Sequence, residues 1–257
     1  SMRVCFRFAS DQTRPQFEDP KGPNYTTIEA SNNAVLTYHY DPKGNVRPWD
    51  RTLYIKVVRG FLREGDKITI TFGDRSGGSP GMRLQTFCED SYEFHTLIDP
   101  IATYCYQPMP VQPVIKIIPG KPDRYLAVAP TIRAIDESFS IKFKGEDKWG
   151  NPSDQCDIQL YPRASHPVQN LPDVISLKPG EFFGVIEGLS VADAADLHID
   201  FLDDAGAVMC RTNPIRIEPA PLSRHFWGDL HGQSEETIGT GSAEAYFAFA
   251  RDYAFVD

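Results

Sequence analysis

Apolar and polar positions alternate in short runs along most of the chain, the two-residue period of strands with one buried face. Thr52–Val58 carries it most plainly, with Leu53, Ile55 and Val57 on one side. Asn33–Tyr40 reads as a strand that ends in the turn Asp41-Pro42-Lys43-Gly44-Asn45, and Ile68–Phe72 follows the turn signal Glu64-Gly65-Asp66. Arg83–Cys88 and Tyr92–Ile98 are further strand candidates. No stretch from 31 to 105 has helical periodicity, so this region predicts an all-β sandwich.

Residues 1–30 are polar and broken by Pro15, Pro20 and Pro23, and predict an extended arm. Gln107–Pro113 holds three prolines in seven residues, the composition of a stiff linker, and sets a boundary between domains at 31–110 and 111–220. Beyond it, strand patterns recur at Val114–Ile118, Tyr125–Ala129, Ser138–Lys144, Cys156–Leu160, Val174–Leu177, Glu181–Glu187, Leu197–Phe201, Val208–Arg211 and Ile215–Glu218. Turns fall between them about every ten residues, a spacing that suits a second, immunoglobulin-like sandwich of ~100 residues. Glu218–Leu222 is a second proline-bearing linker.

The pattern changes in the last segment, 224–257. His225–His231 predicts a strand, and a polar loop with Glu235, Glu236, Gly239 and Gly241 comes after it. Ser242 is suited to cap a helix starting at Ala243, with Glu244 in the first turn. Ala243, Phe247, Ala250 and Ala254 fall on one helical face, and Ala254–Asp257 predicts entry into another strand. Strand, loop, helix and strand make the repeating unit of an α/β barrel.

Composition narrows the function classes. A net charge of −9 argues against nucleic acid as a partner, because phosphate binding needs a basic footprint. No apolar run nears the ~18 residues of a membrane span, and the N-terminus lacks a signal peptide's apolar region, so a cytoplasmic location is expected. The five cysteines, at 5, 88, 105, 156 and 210, are widely spaced with no Cys-x-x-Cys, the pattern of reduced, mostly buried thiols. Cys88 and Cys105 are the pair that neighbouring strands can bring together.

Two segments resemble known families. Phe139–Pro152, an alternating strand leading to Asp147-Lys148-Trp149-Gly150-Asn151-Pro152, resembles the strand and turn of bacterial immunoglobulin-like modules. Phe226–Ser234, with Gly228-Asp229-Leu230-His231 at its centre, resembles the opening of the PHP (polymerase and histidinol phosphatase) metallohydrolase superfamily. Together with Gly73–Arg83 and Asp147–Pro152, it resembles an uncharacterised bacterial family allied to that superfamily. The resemblance implies an accessory β region followed by the first βα unit of a truncated PHP-like barrel, catalytically incomplete as given. It further implies a hydrolase acting on an unknown small-molecule substrate. In the full-length parent, His231 and Gln233 would ligate a divalent metal of the zinc, manganese or iron class. Gln233 stands where the pattern has a second histidine and offers only a neutral amide oxygen. An isolated βα unit exposes an apolar helix face, so docking onto the β domains or homo-oligomerisation through this unit is expected.

Other residues allow a binding role instead. The loop Gly73–Gly81 interrupts a protease-like Gly-Asp-Ser-Gly-Gly with Arg75. Its Arg75, Ser76, Ser79 and nearby Arg83 suit either a structural hairpin or a loop that contacts an anion or another domain. His39 and His95 lie in predicted strands. Trp49 and the tyrosines either line a sugar-binding surface or pack inside. These features support the alternative of a ligand- or carbohydrate-binding β-sandwich module without an enzymatic role.

Overall fold

Alternation becomes pairing in the computed structural model, which describes residues 1–239 and 241–257. The protein is mainly β, and its chain divides into two compact units, Ser1–Ile118 and Pro119–Asp257.

The first unit contains β1 (Met2–Phe6), β2 (Thr26–Ala30), β3 (Val35–Asp41), β4 (Arg51–Arg59), β5 (Ile68–Phe72), β6 (Glu89–Glu93), β7 (His95–Ile98), β8 (Gln107–Pro108) and β9 (Val114–Ile117). Five of them form one sheet in the order β3-β4-β1-β7-β8, while β2 pairs with β5 and β6 with β9. Val4 and Phe6 of β1, Leu53 and Ile55 of β4 and Ile28 of β2 form the buried core, with Ile68, Ile70 and Phe72 of β5 packed against it. Phe6 meets Phe72 and Phe94 edge-on at centroid distances of 5.7 and 5.8 Å, contacts worth about 0.5–1.5 kcal/mol each beyond the area they bury.

Three expectations for this unit change. Residues 1–30 are not a separate arm: β1 is an inner strand of the main sheet, paired to β4 on one side and β7 on the other. Its own alternation explains this, since Val4 and Phe6 face the core while Arg3 faces away. Gln107–Pro113 is no linker either. Residues 107–108 form the sheet's edge strand, Met109 N–H donates to Thr96 O and Pro113 O accepts from Phe94 N–H. Proline is tolerated there because an edge strand has one side with no ladder to complete. The unit boundary therefore falls at 118/119. Arg83–Cys88 forms no strand.

The second unit contains β10 (Arg124–Val128), β11 (Ile132–Ala134), β12 (Phe139–Glu146), β13 (Ile158–Ala164), β14 (Ile175–Leu177), β15 (Phe183–Leu189), β16 (Ala195–Leu197), β17 (Ile199–Leu202), β18 (Val208–Arg211), β19 (Ile215–Glu218) and the helix α1 (Ala243–Asp252). Its sheets run β10-β12-β15, β11-β19-β16 and β14-β13-β17-β18. Inward side chains of all three meet in one core that includes Phe139, Ile141, Phe143, Leu160, Leu177, Leu189, Ile199, Phe201 and Ile215. After β12 the chain turns around Asp147. Its carboxylate accepts from the N–H groups of Gly120, Trp149 and Asn151, and Gly150 takes φ +89°, a conformation that suits glycine.

Ser242 caps α1 by accepting from Ala245 N–H, as expected. The predicted strand 225–231 does not form: Phe226, Trp227 and Leu230 are exposed and the segment has no strand partner. It touches the chain's end at one point, where Trp227 N–H donates to the Asp257 carboxylate and Asp257 N–H to Trp227 O. The helix packs through its C-terminal end rather than its predicted stripe. Lys142 and Lys144 of β12 donate to the carbonyls of Arg251 and Tyr253, and Phe255 is buried beside Phe183, whereas Phe247 stays 69% exposed.

Candidate functional site

The outer face of the first unit's main sheet is set by strand register. Directly opposed residues on antiparallel strands share a face. His39 of β3 opposes Tyr54 of β4, Tyr54 opposes Arg3 of β1, and Arg3 opposes Leu97 of β7. Because Val4, Leu53 and Ile55 face the core, this row faces away from it.

Loops cover that face unevenly. At one end, residues 42–50 close over Cys5 and Thr52, both fully buried: Asn45 donates to the Cys5 sulfur at 3.4 Å, and Trp49 stacks on His95 at 4.9 Å. Burial pushes the Cys5 thiol above its ordinary range, with hydrogen bonds from Thr52 and Asn45 only partly offsetting it. Cys5 is thus an inert thiol. The Tyr54 hydroxyl donates to Gly44 O, which fixes the ring.

The other end stays open as a cleft of about 240 Å³, lined by Ser1, Arg3, Thr37, His39, Tyr54, Ile55, Lys56, Asp99, Ala102, Tyr104 and Tyr106. The Arg3 guanidinium lies 3.9 Å from the Tyr106 ring centroid and 5.0 Å from that of Tyr54. His39 stacks on Tyr54 at 4.8 Å. Arg3 Nε is buried with no hydrogen-bond partner, and among the described residues no carboxylate pairs with Arg3 or Lys56.

One wall is the loop 99–106. Asp99 is fully buried, and its carboxylate accepts from Thr103 N–H at 3.1 Å, Thr103 Oγ1 at 3.2 Å and Tyr104 N–H at 2.8 Å. Desolvation pushes its carboxyl upward, but these bonds outweigh it and hold the group below the usual carboxylate range. The clamp keeps Ala102 and Tyr104 in left-handed conformations, φ +56° and +62°, which are costly for residues with a Cβ. Tyr104 is thereby displayed at the rim, 80% exposed.

Periodicity along one strand cannot reveal this site, since its parts come from β1, β3, β4 and a loop. The available signals are the histidine at 39, the tyrosine content and the charged residue at the outward position of 2–6.

Of the residues singled out from sequence, His39 lines the cleft, while the loop 73–83 and the segment at 231–233 do not. In the loop 73–83, Ser79 is buried and turned inward to accept from Gly81 N–H, and Arg83 is held by Asp11. Arg75 and Ser76 are exposed, with Ser76 N–H donating to Asp74. His231 Nε2 lies 3.5 Å from Gln233 Nε2, while Gln233 Oε1, the atom suited to a metal, accepts from Thr237 at 2.6 Å. Among the described residues no three His, Cys, Asp or Glu side chains gather as metal ligands, so His231 and Gln233 fall short of the three or four ligands of a protein metal site. Cys88 and Cys105 are both exposed and not disulfide-bonded. Among the described residues no helix is long and apolar enough to cross a membrane.

No protein-family model and no curated protein matches the chain. Among solved structures, it is similar to FdeC, described as a novel broadly conserved Escherichia coli adhesin eliciting protection against urinary tract infections. The identity is 12% and the TM-score 0.27, over 76% of this chain and 54% of that one. The match spans about half the length of FdeC and is too slight to carry an argument about fold or function.

Proposed function

We propose that the protein is a ligand-binding β module whose site is the aromatic and cationic cleft of the first unit. One observation carries the reading: the Arg3 guanidinium is held between Tyr106 and Tyr54 in an open cleft, and among the described residues no carboxylate pairs with it. A guanidinium without an ionic partner, flanked by aromatic rings, offers charge-assisted donors to a ligand in the cleft. Tyr104, displayed by a strained loop, supports the same reading. The second unit is then an immunoglobulin-like scaffold, supported by the strand and turn at 139–152 and by sheets sharing one core.

The test is a binding screen of the full chain and a Tyr106→Ala variant against mono- and oligosaccharides of neutral and acidic type. Binding that is lost in the variant is the expected result. No binding by either protein would count against the module.

A second reading rests on the closeness of His231 to Gln233 and on the helix beyond them. In it, residues 224–257 begin a PHP-like metallohydrolase barrel, and the β units are its accessory region. In a full-length parent, His231 and Gln233 would help to hold a divalent ion that supplies a Lewis acid and an activated water. Zinc or manganese content that is equal in the full-length parent and in its His231→Ala variant would sink this reading.

A further inference from the structure

We infer that the ligand of the first-unit cleft is a sugar ring bearing a carboxylate, an inference that rests on the binding-module reading. The protein carries −9 overall, yet two cationic side chains, Arg3 and Lys56, line the cleft, with no carboxylate paired to either among the described residues. The single acid on its wall, Asp99, is engaged by the N–H groups of Thr103 and Tyr104. The cleft is therefore locally positive, and an anion is the group that completes it.

The donors present select the kind of anion. A guanidinium presents a planar fork that matches the paired oxygens of a carboxylate or of a phosphate. Phosphate sites recruit clustered backbone N–H groups. In this cleft the N–H groups of Thr103 and Tyr104 are already spent on Asp99, so the side-chain fork remains as the main donor.

Size and surface point to a ring. The cleft's volume of about 240 Å³ lies below the ~300–1,000 Å³ range of pockets for larger ligands and suits a single ring with its acidic substituent. Exposed Tyr104 and His39 supply flat faces for the C–H side of such a ring.

The experiment is isothermal titration of the full chain with three probes: trigalacturonate, its fully methyl-esterified form, and inorganic phosphate. The ester keeps the rings and removes the charge. Trigalacturonate should bind, the ester should bind at least roughly tenfold more weakly, and phosphate should bind weakest. Arg3→Gln should weaken trigalacturonate binding by roughly tenfold to a hundredfold, and high salt should weaken it further. Lys56→Gln changes an exposed side chain and leaves the core intact, so its loss of affinity keeps the test valid should Arg3→Gln unfold the sheet. Equal affinity for acid and ester overturns the inference and leaves the binding-module reading standing. Phosphate binding as tight as trigalacturonate also overturns it, because the ring then contributes nothing. Unchanged affinity in Lys56→Gln removes the paired-cation argument and overturns it too. Silence towards all three probes overturns the inference and counts against the binding module as well.

Discussion

Two aspartates show how single residues hold the loops of this fold. Asp99 and Asp147 each gather several N–H donors, and each carboxyl is held below its usual range although desolvation opposes that. A carboxyl lowered in the folded state stabilises fully above its unfolded pKa of ~3.9, and that contribution is lost as pH falls through the folded value. Acidification below about pH 4 should therefore release the loop 99–106. Near-ultraviolet circular dichroism, which senses Tyr104 and Tyr106, should change in that window, while Asp99→Asn should show a flattened transition. Asp147→Ala leaves the N–H groups of Gly120, Trp149 and Asn151 without their acceptor and should cost the second unit roughly 2–3 kcal/mol by chemical denaturation. An unchanged denaturation midpoint would refute that account.

At the scale of elements, α1 is anchored by the residues just past its C-terminal end. Phe255 is 7% exposed and packs on Phe183, and the Lys144 ammonium lies 4.9 Å from its ring centroid. Phe255→Ala should free residues 243–257, seen as faster tryptic cleavage at Arg251 with the melting of the strands little changed. The helix itself was legible in the sequence, because a cap and a 3.6-residue period are local signals. Its docking was not, because a period shows which side chains align and not what they meet. The strands divide in the same way. The alternation of Leu53 and Ile55 announces a buried face directly. The inner place of β1 depends on pairing with residues about fifty and ninety positions away, and the prolines between 15 and 23 disguised it as an arm. The cleft is illegible for the same reason: Arg3, His39, Tyr54 and Tyr106 become neighbours only through register.

At the scale of the whole molecule, each unit has its own buried core, so each should unfold as its own cooperative transition. Leu53→Ala and Ile141→Ala remove fully buried side chains from the first and second cores, at about 2–5 kcal/mol each. Calorimetry should show each variant lowering one transition by roughly 10 °C and leaving the other in place. A uniform shift of both would mean that the units melt as one. The short proline-bearing strand β8 has a consequence at this scale too. It forms one border of the main sheet, and a border strand is the natural template for a foreign chain to add itself and begin fibril growth. Pro108 offers no amide hydrogen to an incoming strand, and Pro110 and Pro113 deny two more within five residues. That border is built to refuse copies of its own kind, and the proline-rich stretch acts as a guard against self-assembly.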